Sequence, residues 1–161
     1  MIFVVEGQPQ GKARPRFSRR SGTVYTPQKT MDYEKTIRAS FLKANGEKIP
    51  ADCYVRIDIM AYFKIPKSYT KGKRLACQYN INKPTVKPDI DNITKVVLDA
   101  LNGVAYEDDK QVVNCRCEKR YSRSGSGYVV VKIAEAKGSY DRTKIAHRRS
   151  AGTCANQQQR K

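Results

Sequence analysis

No apolar run in this chain approaches the roughly 18 consecutive residues needed to span a bilayer. That excludes the membrane-spanning classes as an expectation. The N-terminus, Met1-Ile2-Phe3-Val4-Val5-Glu6, has only a short apolar stretch and then an acid. It lacks a basic n-region and a long h-region, so it does not read as a signal peptide. Histidine is almost missing. The single one, His147, lies in a polar tail and leaves little room for His-based acid–base chemistry. The five cysteines (Cys53, Cys77, Cys115, Cys117 and Cys154) are odd in number. Without a signal peptide they read as reduced thiols in the cytoplasm. Cys115 and Cys117 are two apart rather than in a C-x-x-C, so a zinc site is not expected. There is no internal repeat. Any chemistry therefore falls to carboxylates, lysine or a hard metal ion.

Acidic residues are scarce too. Fifteen Asp and Glu face thirty-two Lys and Arg, a formal charge of +17 over 161 residues. Folding does not need that excess, because self-repulsion works against the compact state. The economical reading is a polyanionic partner, with nucleic acid ahead of an anionic membrane surface or an acidic protein. Hydrophobic residues, at 39%, suffice for one core, and the length suits one domain.

Residues 1–6 read as a strand, rich in β-branched residues and stopped at Gly7. Gly11 to Gly22 is basic and punctuated by Gly and Pro, which predicts a loop. Thr26-Pro27 reads as an N-cap with proline at the first helical position. Behind it, Tyr33, Ile37, Phe41 and Ala44 recur at helical spacing, and Asn45-Gly46 ends the helix. Residues 53–64 alternate, with Val55, Ile57, Ile59, Ala61 and Phe63 on one face of a half-buried strand. Residues 65–87 are polar and read as a loop with room for one helical turn. A second helix is predicted from about Asn92 to Asn102, stopped by Gly103. Strands at about 111–120 and 127–136 read as a hairpin joined by a longer Ser/Gly loop. The order β–α–β–α–β–β predicts one mixed sheet with two main helices, a small α/β or α+β domain over residues 1–136. From Lys137 the pattern stops. Residues 137–161 carry seven basic residues and one acid, and read as a disordered basic arm.

Within this basic chain lies an acidic island. Lys87-Pro88-Asp89-Ile90-Asp91-Asn92-Ile93-Thr94-Lys95 opens the second helix, and Glu107-Asp108-Asp109 follows just past its end. Two readings fit. In the bland one, Asp91 is an N-cap, Asp89 favours the positive helix end, and Lys95 makes an ordinary ion pair with Asp91 or Asp99. In the functional one, Asp89 and Asp91 project to the same side of an extended segment. Clustered carboxylates without His or Cys suit Mg²⁺ or Mn²⁺. A lysine near the first turn, where the macrodipole disfavours it, suits an anionic neighbour such as a phosphate. Carboxylates with a metal on a basic surface are the arrangement for cutting a phosphodiester. Of the adjacent Asp108 and Asp109, one should lead and the other support.

Three blocks resemble the RusA-type Holliday junction resolvases, a family common in prophages that serves DNA recombination and repair. They are Pro9-x-Gly11-Lys12-x-Arg14-Pro15-Arg16 with Tyr25-Thr26-Pro27 and Tyr33-Glu34; Lys87-Pro88-Asp89-Ile90-Asp91-Asn92-x-x-Lys95 running into Leu98-Asp99-Ala100-Leu101-Asn102-Gly103; and Tyr106-Glu107-Asp108-Asp109-Lys110-Gln111-Val112. The likeness spans about residues 1–135. It implies a homodimeric, Mg²⁺- or Mn²⁺-dependent endonuclease making paired symmetric nicks in four-way DNA junctions. It places the metal-binding catalytic aspartates on Asp89, Asp91 and Asp109, with Asp108 beside them and the catalytic lysine on Lys95. Lys12, Arg14, Arg16, Arg19 and Arg20 read as a loop gripping the DNA backbone. Two rivals are a branched-DNA-binding protein without catalysis and a metal nuclease acting on flaps or other branches.

Overall fold

The computed structural model describes residues 1–139 apart from Ser21, without the side chains of Ser18 and residues 137–139. The expected basic arm therefore lies outside the described residues from position 140 onward.

The chain runs β1 (Ile2–Glu6), β2 (Arg16–Ser18), β3 (Thr23–Tyr25), α1 (Gln28–Lys43), β4 (Cys53–Phe63), α2 (Lys71–Gln78), α3 (Ile90–Leu101), a 3₁₀ turn (Asp109–Gln111), β5 (Val112–Tyr121) and β6 (Tyr128–Ser139). Four strands form a mixed sheet in the order β1-β6-β4-β5, and β2 pairs with β3 in a separate two-stranded sheet. This is the small α+β domain with a mixed sheet that the sequence predicts, with additions. The supposed loop at 11–22 contributes a strand, β2, that pairs with β3. The polar stretch 65–87 holds α2, whose N-cap Thr70 accepts a hydrogen bond from the Lys73 amide. Pro27 sits at the N-cap of α1 rather than one residue inside. Strand β6 runs three residues past its expected end at 136.

The largest correction is the pairing of the last two strands. They are not a hairpin. β4 lies between them, parallel to β5 and antiparallel to β6. The link over residues 122–127 passes over the end of β4, where the Ser122 amide donates to the Phe63 carbonyl at 2.8 Å. Neighbouring strands lie about 4.8 Å apart, so a loop of this length crosses one strand without strain. The parallel β4–β5 pair needs a long crossover, and α2 with α3 supplies it.

The alternation of β4 is as read: Val55, Ile57, Ile59, Ala61 and Phe63 are all buried. They meet Phe3 and Val5 of β1, Val129, Val131 and Ile133 of β6, and the apolar stripes of the two long helices. From α1 come Tyr33, Ile37 and Phe41; from α3 come Ile93, Val96, Val97, Ala100 and Leu101. Each aliphatic side chain buried this way contributes about 1.5–3 kcal/mol. The two helices are also tied by polar bonding. Arg38 Nε of α1 donates to the Ala100 carbonyl at 2.8 Å, satisfying one of the last carbonyls of α3. Gly103, at φ 74°, ends α3 in the left-handed conformation. No helix among the described residues is long and apolar enough to cross a membrane.

Candidate active site

The basic loop is held against the start of α3 by close backbone packing. The Lys12 amide donates to the Asn92 carbonyl at 2.9 Å. A Cβ at position 11 would stand 2.8 Å from Pro88 Cβ and 2.9 Å from Asn92 Cβ, so only glycine permits this approach. The two segments and the start of α1 enclose a cleft of about 490 Å³, lined by Arg16, Lys29, Lys87 and Asp89 among others. One carboxylate thus shares the cleft with four cations, Lys12 being the fourth.

Asp89 is the N-cap residue of α3 but makes no side-chain capping hydrogen bond, and Asp91 lies inside the first turn. The helix therefore begins two residues before the expected Asn92, and Asp91 is not its cap. Neither exposed carboxylate is used to close the helix end, although both suit its positive pole. One turn along, Lys95 Nζ lies 3.4 Å from Asp91 Oδ2, with both side chains largely exposed. The surface ion pair of the bland reading exists, and it sits at the cleft-side end of α3.

Lys12 is placed differently from its neighbours. Its ammonium sits 2.6 Å from Glu34 Oε1 and 2.8 Å from Asp99 Oδ2. Burial opposes the charge, yet the hydrogen bonds to Asp99 and Glu34 more than offset it and its pKa is raised. Lys12 ties the loop to α1 and α3 together. Arg14, Arg16, Arg19 and Arg20 are exposed.

The second acidic cluster lies past the other end of α3. Asp108 caps the 3₁₀ turn. The Lys110 amide, and then the Lys110 side chain, hold its carboxyl below the usual range. Gln111 completes the cap. Its Oε1 accepts from the Glu107 and Asp108 amides, and its Nε2 donates to the Pro50 and Cys53 carbonyls. Tyr106 is buried and donates to the Leu98 carbonyl at 2.8 Å. Burial raises its pKa most, followed by the charges of Asp109 and Asp99.

The structure thus brings Asp89 and Asp91 together at one end of α3, with Lys95 one turn further along. Asp108 and Asp109 lie beyond the other end. Most of the twelve residues of α3 lie between the two clusters in the chain. Among the described residues, no three Asp, Glu, His or Cys side chains are grouped to hold a metal ion. The donor chemistry nevertheless fits Mg²⁺, which is typically bound by one or two carboxylates and substrate phosphates. Two exposed carboxylates that do no capping offer that minimum.

Motif reading assigned no role to Lys29, Lys87 or Gln111. Lys29 and Lys87 reach the cleft from separate elements, which spacing cannot reveal. Gln111 had a signal: Asp108-x-x-Gln111 has the form of a capping box.

The family model described as Endodeoxyribonuclease RusA matches residues 6–134. An uncharacterized protein of Bacillus subtilis (strain 168), YqaN, is 34% identical over 138 residues, covering 83% of this chain and 96% of the relative. The match takes in the basic loop, the cleft and both acidic clusters, and the chain belongs to the RusA family of endodeoxyribonucleases.

Proposed function

We propose that the chain is a divalent-metal-dependent endonuclease that resolves four-way DNA junctions by paired symmetric nicks. The observation that carries this reading is Asp89 at the wall of a cleft lined by Lys12, which Glu34 and Asp99 neutralise, and by Arg16, Lys29 and Lys87. These cations neutralise the phosphates of a strand laid in the cleft and bring it beside the carboxylates at the start of α3. Asp89 and Asp91 would hold Mg²⁺ or Mn²⁺. The family likeness adds Asp109 to that set, with Asp108 as its neighbour. A divalent ion bound there supplies an activated water and stabilises charge on the phosphate. Lys95, one turn from Asp91, offers its ammonium to the scissile phosphate or the leaving oxygen. Arg14, Arg19 and Arg20 extend the grip on the backbone, while Lys12 holds the loop in place. Two matched nicks call for two sites related by a two-fold axis, hence a homodimer.

The test is cleavage of a synthetic four-way junction in Mg²⁺, with flap and plain duplex substrates alongside. Wild type cuts the junction and EDTA stops it. Asp91→Asn lowers cleavage about 10²-fold or more while junction binding persists. Asp109→Asn, assayed separately, tests the third carboxylate. If Asp91→Asn cuts as well as wild type, the assigned site is wrong. One observation favours a rival, a junction-binding protein without catalysis: the described residues hold no three-ligand group. That rival predicts binding without cleavage in any divalent metal.

A further inference from the structure

From Gly7 to Met31 the chain carries no acidic residue. Its middle is the β2–β3 hairpin, which belongs to no larger sheet. A lone two-stranded sheet is marginal in water and buries little. Every described side chain from Arg14 to Tyr25 is exposed. The register pairs Phe17 with Val24 and Arg16 with Tyr25. Cross-strand partners share a face, so Phe17 and Val24 form one apolar spot and Arg16 and Tyr25 lie on the opposite side. Phe17 is 64% exposed, Val24 68% and Tyr25 48%. Single exposed apolar residues need no explanation. Here an aromatic and an aliphatic side chain are matched across two strands, in a segment that also carries the exposed Arg14, Arg19 and Arg20.

A partner for this spot must present flat apolar faces beside dense negative charge. Nucleic acid does both, since every base has a π-face and every step a phosphate. In continuous duplex the base faces are covered by stacking. At a branch point the last pair of an arm can expose one face, and an apolar side chain can wedge against it. Arg16 links the hairpin to chemistry, because it also lines the cleft that holds Asp89. A wedge in the branch would therefore set where the cleft meets the strand.

We propose that the β2–β3 hairpin is the element that reads the branch. Phe17, backed by Val24, stacks on the exposed base pair at the branch point, and Arg14, Arg19 and Arg20 hold the flanking phosphates. This rests on the reading of the chain as a branched-DNA nuclease and names the feature of the substrate that it recognises.

The experiment uses the full chain, a four-way junction carrying 2-aminopurine at the branch point, and a linear duplex of equal length, in EDTA to prevent cleavage. Wild type changes the 2-aminopurine fluorescence on binding. Phe17→Ala abolishes that change and weakens junction binding about tenfold or more, while duplex affinity stays within about twofold. Phe17→Tyr, which keeps the ring, restores both. Circular dichroism and the melting temperature match wild type, since the side chain is exposed. Equal affinity of Phe17→Ala for the junction, or equal loss on junction and duplex, overturns the proposal. So does a change only in sedimentation mass, which would make the spot a contact between copies of the chain. Failure of the nuclease reading shows separately, as no Mg²⁺-dependent junction cleavage by wild type.

Discussion

Gly11 shows how one missing methyl group positions a site. Its neighbours, Pro88 Cβ and Asn92 Cβ, are fixed by the backbone that begins α3 and cannot rotate away. Gly11→Ala must therefore push the basic loop off the helix and break the bond from the Lys12 amide to Asn92. The expected outcome is a loss of about 1–3 kcal/mol in urea unfolding, the range of overpacking. Junction cleavage should fall at least tenfold, because Arg16 moves away from Asp89. Wild-type cleavage by Gly11→Ala would show that the loop's seat on α3 does not matter. The motif containing Gly11 was legible in the sequence, but the reason for the glycine was not, since it depends on a contact more than 75 residues away. Lys12 illustrates the same limit. Composition made it one more cation in a run, and only the fold places Glu34 and Asp99 around it.

Among the elements, those with a clear hydrophobic period were legible: β4 by alternation, α1 and α3 by helical spacing. The misses share a physical cause. α2 buries a single residue, Cys77, so it carries no stripe to detect. The described side chains of β2 and β3 are all exposed, so neither strand shows a buried face among them. The place of β4 between β5 and β6 is decided by which faces pack together, not by the linker that joins the last two strands. That arrangement leaves β5 at the sheet edge, and Glu118 secures it. Its carboxylate accepts from Arg120 on the same strand at 2.7 Å and from Lys83, before α3, at 3.1 Å. The hydrogen bond to Arg120, then that to Lys83, lowers its pKa from 4.5 to about 2. Because the folded-state value is depressed, the stabilisation is present above 4.5 and is lost as pH falls toward about 2. Glu118→Gln should therefore be less stable near neutrality, by under about 1 kcal/mol for such solvated pairs. The gap should close over that acid window when urea midpoints are compared. A gap unchanged by pH would mean that Glu118 acts through packing alone.

For the whole molecule, the net charge of +17 divides into parts with different work. Lys12 is compensated inside the fold, and other cations are paired on the surface. Arg16, Lys29 and Lys87 line the cleft with Asp89 at the start of α3, and Arg14, Arg19 and Arg20 are exposed on and beside the hairpin. Residues 140–161 hold six Lys and Arg and one Asp, a net of +5, and follow directly on β6. Their removal leaves a chain of +12, by the subtraction 17 − 5. All four strands of the main sheet and the core remain within residues 1–139. Truncation after Ser139 should therefore leave the melting temperature unchanged, and junction cleavage as well when the protein saturates the junction. What should change is the salt dependence of binding. Each phosphate neutralised by the protein adds about −0.9 to the slope of log K against log salt on duplex DNA. If the segment touches the arms of the junction, the truncated chain gives a slope shallower by about 0.9 for every phosphate it no longer reaches, and its relative deficit is largest in low salt. Titrations of wild type and the truncated chain at several salt concentrations measure this directly. Superimposable slopes would show that residues 140–161 do not touch DNA, and that the cleft and the hairpin carry all of the electrostatic grip.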